Sequence, residues 1–247
     1  MVGLRTMDGA AMSLEGKRVI VIGGASGIGF AVAALSKEIG AEVVIASRNE
    51  AHVAAAVERL PGAAGGAVDL RDETSVSGFF ETLGAFDHLA ITAGDWGGTR
   101  FVATKDLDLA AARDGLEIRF WGVLAAVKYG SRTIASNGSI TITSGLMAHR
   151  PRKGAPLATA IGGAVEHLAR GLAVDLAPVR VNAVCPGMIL TEIVQQAPEA
   201  TLKAWVAGLP LPRGASPTEA ATAYVYAMLN GYVTGQTIPV DGGGLLV

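Results

Sequence analysis

The stretch Gly23-Gly24-Ala25-Ser26-Gly27-Ile28-Gly29 follows directly on an apolar β-branched run and opens a helical segment. Its glycines have separate uses. Gly23 lets the chain turn, Gly27 lets the backbone approach a pyrophosphate, and Gly29 lets the helix lie close to the strands. The helix start adds N–H groups and a positive dipole end, so the loop suits an anion. A glycine cluster alone is only a corner; the strand before it and the helix after it supply the context that phosphate binding requires. A second polar pair, Ser47-Arg48, ends the next apolar run. A carboxylate there would grip ribose hydroxyls and repel a 2′-phosphate, whereas a small hydroxyl beside a guanidinium suits that phosphate. The plain alternative is a solvated arginine. These residues point to a dinucleotide, NADP(H) ahead of NAD(H).

A basic loop, GLMAHRPRKGAPL (145–157), carries His149, Arg150, Arg152 and Lys153, with Pro151 and Pro156 stiffening it. It could present His149 or Lys153 to a bound molecule, or be a solvated surface loop. His52, His88 and His167 read as structural, and scattered histidines with one cysteine give no metal-ligand spacing, so no metal is expected. The segment after the loop, GAPLATAIGGAVEHLAR (Gly154–Arg170), reads as a helix start whose first turns hold nothing that readily moves a proton. Its adjacent Gly162 and Gly163 each cost about 1 kcal/mol relative to Ala in a helix.

The elements that must position these residues alternate short apolar runs with longer helical segments. Strands are expected at Arg18–Gly24, Ala41–Ser47, Gly66–Leu70, His88–Gly94, Ser139–Ser144, Val179–Gly187 and Gly235–Gly243. Helices are expected at about 27–39, 50–60, 74–83, 108–131 and up to about Ala177. Continuous rather than alternating apolar character means strands covered on both faces. Strand–helix alternation means parallel strands joined by right-handed crossovers. The expected architecture is a single-domain α/β doubly wound (Rossmann) sheet of seven strands over residues 13–247, with residues 1–12 a flexible extension. In such sheets ligands sit beyond the carboxyl ends of the strands.

Half of the 247 residues are hydrophobic and the net charge is −2, which suits a large core and argues against a basic nucleic-acid binder. No run of uncharged apolar residues is long enough to cross a membrane. The single cysteine, Cys185, excludes an intrachain disulfide and fits a reducing cytoplasm, where it reads as a buried inert thiol. The expected partner is a small-molecule substrate.

Over nearly its whole length the chain resembles the short-chain dehydrogenase/reductase family. The glycine loop matches the family's signature spacing, with Ile22 in place of the usual Thr. The run VDL resembles the segment whose Asp contacts adenine, here Asp69 followed by Leu70. ITAG, with Ala93 and Gly94, resembles the NNAG motif without its two Asn. RVNAVCPG followed by Thr191 resembles the segment bordering the nicotinamide, with Pro186 and Gly187 at its turn. VTGQTIPVDGG resembles the family's C-terminal signature.

The resemblance also implies four catalytic residues: an Asn in the long fourth helix, a Ser after the fifth strand, and a Tyr-x-x-x-Lys pair in the next helix. Ser144 stands at the serine position, where it would hydrogen-bond a substrate oxygen. Arg119 stands at the Asn position; a guanidinium stays charged and stabilises a developing oxyanion or enolate rather than giving up a proton. Ala158 and Gly162 stand at the Tyr and Lys positions, and none of the four tyrosines has a Lys four residues on. His149 completes the candidate catalytic set. The same departures resemble atypical family members of indole-alkaloid biosynthesis, which reduce iminium species or steer cyclisation. The expected activity is therefore NADP(H)-dependent reduction of a bulky C=N or conjugated C=C/C=O compound. A non-redox isomerase or cyclase, or an inactive cofactor-binding protein, are the alternatives. Small residues at 158 and 162 are expected to hollow the site, residues 191–209 to form a lid with Trp205, and Gly162, Gly163, Ala164, Leu168 and Ala169 to pack against a second copy in a homotetramer or homodimer.

Overall fold

The computed structural model describes residues 13–247 apart from 95–97 and 99, so the expected extension over 1–12 lies outside the described residues. Seven parallel strands form one sheet in the order β3-β2-β1-β4-β5-β6-β7. They are β1 (Arg18–Ile22), β2 (Glu42–Ser47), β3 (Ala64–Ala67), β4 (Phe86–Ile91), β5 (Ile134–Thr143), β6 (Arg180–Pro186) and β7 (Thr237–Val240).

The β-branched runs are buried on both faces because successive side chains point to opposite sides of the sheet. Ile20, Ile22, Leu89, Ile91, Ile140 and Ile142 pack one way, against α3 (Glu73–Leu83), α5 (Val123–Gly130) and α6 (Pro156–Asp175). Val19, Val21, Val43, Ile45, Ala90 and Val184 pack the other way, against α1 (Gly27–Glu38) and α8 (Pro217–Leu229). Strand order reverses between β1 and β4, which opens the crevice where doubly wound sheets bind ligands. The glycine loop after β1 and residues 92–94 after β4 flank that point.

Three elements differ from expectation. β3 runs over Ala64–Ala67, earlier than Gly66–Leu70. A Cβ on Gly65 would lie 2.7 Å from Val53 Cγ1, and one on Gly66 would lie 2.7 Å from Phe79 Cε2. The strand takes in Gly65 as well as Gly66, pressed from one face by α2 (Glu50–Arg59) and from the other by α3. The long fourth helix is broken into α4 (Leu109–Leu116), a π-helical turn at Glu117–Gly122, and α5. Finally, α8 fills a stretch with no expected element. Its start carries Pro217 and a reciprocal cap in which Ser216 and Glu219 satisfy each other's backbone N–H groups. The segment expected as a lid holds α7 (Glu199–Val206), with Trp205 partly exposed.

At the centre of the sheet His88 is buried, with Nδ1 2.9 Å from Ser139 Oγ on the neighbouring strand. Burial pushes its imidazole down to about 4 from the usual 6.5, and the nearby Asp87 carboxylate only partly opposes this. Neutral His88 therefore stabilises the fold fully above pH 6.5, and that stability is lost as pH falls from 6.5 towards 4. The contribution is on the order of 3 kcal/mol. Urea unfolding of wild type is expected to show this acid slope and His88→Gln to lack most of it; equal slopes would contradict the assignment.

Candidate functional site

The loop after β1 is as tight as its sequence suggests. Gly23 has φ +86°, and a Cβ there would lie 2.4 Å from Ala93 N. A Cβ on Gly29 would lie 2.2 Å from Gly23 O, so the start of α1 rests directly under the turn. Gly27, at φ +52°, lies beside Thr191, and its N–H donates to Glu192 Oε2 at 3.1 Å. A carboxylate of the chain itself thus sits on one N–H donor of this loop. Ala25, Ser26 and Ile28 complete the loop, with Ser26 exposed.

The remaining expected binding residues line the same edge. Ser47 ends β2, its carbonyl accepting from Val68 N at 3.1 Å, and Arg48 is exposed just beyond it. Asp69 Oδ1 accepts from Arg71 N at 3.0 Å. Leu70 is buried, with its carbonyl against Gly122. Ala93 N donates to Ile22 O at 3.2 Å, fastening residues 92–94 to the end of β1. Gly187 N donates to Val240 O at 2.9 Å, which fixes the turn after Pro186 against β7.

Arg119 is carried by the π-helical turn. Such bulges recur at functional sites because an extra residue in the turn re-aims the side chains on it. Arg119 Nη2 donates to Gly94 O at 3.0 Å, and a Cβ on Gly94 would lie 2.3 Å from that nitrogen. Glycine at 94 is what lets the guanidinium lie flat against the backbone. Nearby, Thr143 Oγ1 donates to Ile91 O at 2.7 Å and lies 2.7 Å from Tyr224 Oη, an α8 residue that sequence reasoning missed. Burial raises the Tyr224 phenol above its usual range, with the Arg119 charge among the opposing influences. This tyrosine supports the end of β5.

On the other side of β5, α6 presents Ala158, Gly162 and Glu166 on one buried stripe, four residues apart. The expectation of a hollow at 158 and 162 is corrected. A Cβ on Gly162 would lie 3.1 Å from Ala148 Cβ, so the short helical turn Leu146–Ala148 settles onto the glycine and Ala158 is left 1% exposed. Gly162 and Ala169 likewise pack inside this chain, so they are not free to face a second copy.

One turn further along, Glu166 is buried, with a side chain only 2% exposed. Ser144 Oγ donates to its Oε1 at 2.8 Å, and His149 Nε2 lies 2.8 Å from its Oε2. His149 is 39% exposed and leads to solvent. Cys185 on β6 is the fourth member: its thiol is fully buried, and burial pushes it up to about 12. Although the sequence shows no metal-ligand spacing, the fold gathers donor atoms of His149, Glu166 and Cys185 within 4.8 Å of one another. The direct histidine–carboxylate contact and the protonated thiol make this a hydrogen-bonded chain. Glu166 is the functional residue that sequence reasoning missed; an acid four residues beyond Gly162, on the face opposite the solvent, was its signal. The basic loop itself contributes Pro151–Gly154 to a cavity of about 480 Å³ shared with Ala103, Thr104, Pro156 and Thr159.

A family model described as enoyl-(acyl carrier protein) reductase matches residues 23–244. The short-chain dehydrogenase/reductase ucsE of an Acremonium species is 33% identical over 98% of each chain. The chain belongs to the short-chain dehydrogenase/reductase family. Among solved structures of that family, a small-chain dehydrogenase in complex with NADPH is 34% identical with a TM-score of 0.81, covering 94% of this chain and 99% of its own. The MalC reductase/Diels-Alderase of Malbranchea aurantiaca is 32% identical with a TM-score of 0.88, over 95% of this chain and 98% of its own. No helix among the described residues of this dehydrogenase/reductase is long and apolar enough to cross a membrane.

Glu192 occupies a donor that a diphosphate needs. Glu192→Gln removes that competing charge and is expected to tighten NADPH binding about three- to tenfold, the equivalent of one hydrogen bond. Fluorescence titration checks this; unchanged or weaker binding would show that the carboxylate does not compete.

Proposed function

We propose that this chain is an NADP(H)-dependent reductase whose acceptor is an already electron-poor carbon, a C=N⁺ or a conjugated C=C/C=O, in a small organic molecule. The observation that carries this reading is on α6. Ala158 and Gly162 put a methyl and a hydrogen where the family resemblance implies Tyr and Lys, while Ser144 and Arg119 hold fixed positions nearby. General acid–base catalysis supplies about 10²–10⁴-fold, so an acceptor that needs little protonation loses least without the tyrosine.

The glycine cradle fits the diphosphate, and Ser47-Arg48 suit the 2′-phosphate. The NADPH complex of the small-chain dehydrogenase supports the same choice. When bound, the cofactor supplies hydride to the acceptor carbon. Arg119, pinned to Gly94 O, anchors the polar end of the substrate and stabilises negative charge developing there. Ser144, held in place by Glu166, positions its hydroxyl to hydrogen-bond a substrate oxygen. We place the protein in the cytoplasm as a homotetramer or homodimer, its α6 partner face reduced to Gly163, Ala164 and Leu168. The similar MalC protein is named both a reductase and a Diels-Alderase, which keeps a cyclase reading in view as the second one.

Loss of absorbance at 340 nm with NADPH and candidate iminium or enone substrates separates the readings. Product without NADPH loss would favour the cyclase. Arg119→Ala is expected to lower kcat about 100-fold. Arg48→Ala is expected to weaken NADPH at least about tenfold more than NADH, the value of a charge-assisted phosphate contact; equal weakening would overturn the cofactor assignment.

A further inference from the structure

The described residues hold one feature that the proposed reduction leaves unused: a carboxylate buried against the active-site serine, connected to an exposed imidazole. We infer that Ser144, Glu166 and His149 form a proton path from solvent to the substrate oxygen, with Glu166 its relay residue. The inference rests on the reductase reading above.

The geometry is specific. Both carboxylate oxygens are engaged, one by Ser144 Oγ and the other by His149 Nε2, each at 2.8 Å. The three side chains come from three separate places: the end of β5, the loop after it, and the middle of α6. Burying a carboxylate is costly unless it is paired and hydrogen-bonded, and two apolar-compatible ways of filling this place, Ala and Gly, are already used one and two turns earlier on the same stripe. Exposure rises along the chain of groups, from the buried serine and carboxylate to the half-exposed imidazole, as a path to water requires. The other titratable groups near the carboxylate do not compete for this role. Cys185, on β6, is held protonated by burial, and Asp241, after β7, is occupied by Gly243 N and Leu245 N.

The step balances for a conjugated enone. Bound NADPH would supply hydride to the β-carbon and become NADP⁺, and the π pair would move to the carbonyl oxygen as an enolate. The enolate oxygen takes the hydroxyl proton of Ser144, and Ser144 takes a proton from the Glu166 carboxyl. Glu166 is reloaded from the His149 imidazolium, a half-turn of the carboxyl exchanging its two oxygens. His149 is reprotonated by hydronium or a buffer acid from solvent, which supplies the one proton consumed, and the resulting enol tautomerises to the ketone. An N-alkyl iminium ion needs hydride alone, since the π pair ends on nitrogen as a neutral lone pair.

That difference supplies the test. Wild type, Glu166→Gln and His149→Gln are compared for NADPH-dependent turnover of two probe sets, cyclic N-alkyl iminium salts and cyclic enones, with melting temperature and NADPH affinity as controls. Glu166→Gln keeps the shape and the Ser144 contact but cannot carry the proton. The relay predicts that the enone-to-iminium turnover ratio falls at least about tenfold in Glu166→Gln, the low end of a general-acid contribution. His149→Gln, at the exposed end where folding is least at risk, is expected to lower the ratio in the same direction. A variant that loses both activities equally, or neither, would overturn the relay and leave the reductase reading standing. Wild-type protein that consumes NADPH with neither probe set would overturn the reductase reading and the relay with it.

Discussion

The placement of one buried carboxylate constrains the rest of the active site. Glu166 has almost no contact with water, and a charge so placed is tolerated only when hydrogen-bond donors saturate it. Those donors are Ser144 and His149, so the end of β5 and the loop after it are held against the middle of α6. The turn Leu146–Ala148 lies between them in sequence and must therefore lie close to the helix. The absence of a side chain at residue 162 favours that approach, since a Cβ there would crowd Ala148 Cβ at 3.1 Å and the turn would have to give by a few tenths of an ångström. The glycine and the carboxylate thus belong to one arrangement: Gly162 admits the turn, and Glu166 ties it down.

At the carboxyl ends of β1 and β4 a second constraint fixes the cofactor edge. Gly23, Gly29 and Gly94 each stand where a Cβ would meet backbone or the Arg119 guanidinium at under 3 Å. The crevice at the switch in strand order is therefore built from backbone approaching backbone. The charge it holds in place is Arg119, fastened by Gly94 O. Together the two constraints fix a cation, Arg119, and a hydrogen-bonded acid, Glu166. This suits an acceptor that is reduced by positioning and charge more than by a strong proton donor at the reacting centre.

Much of this was legible in the residues. The β-branched runs located six of the seven strands to within a few residues, because burial on both faces leaves no alternation to misread. The glycine loop was legible because its spacing and its place between strand and helix agree. What was hidden was tertiary. Gly65 and Gly66 form a strand because Val53 and Phe79 press on them, which no local propensity records. The π-helical turn at 117–122 is invisible to a pattern with a 3.6-residue period. The start of α8 did carry a readable signal, Ser216-Pro217-Thr218-Glu219. Glu166 drew no reading from the sequence, and the small residues at 158 and 162 looked like room. Only the fold shows that a turn closes the room and that the acid faces inward.

The central claim is that acid–base chemistry has moved from the helical positions 158 and 162 to the line from Ser144 through Glu166 to His149. A crystal structure of the NADPH complex tests it most directly. The account predicts cofactor along the Gly23–Gly29 loop, the nicotinamide beside Ser144, and Glu166 still bonded to both Ser144 and His149. A Glu166 side chain turned out to grip the nicotinamide ribose, with Ser144 and His149 released, would contradict it.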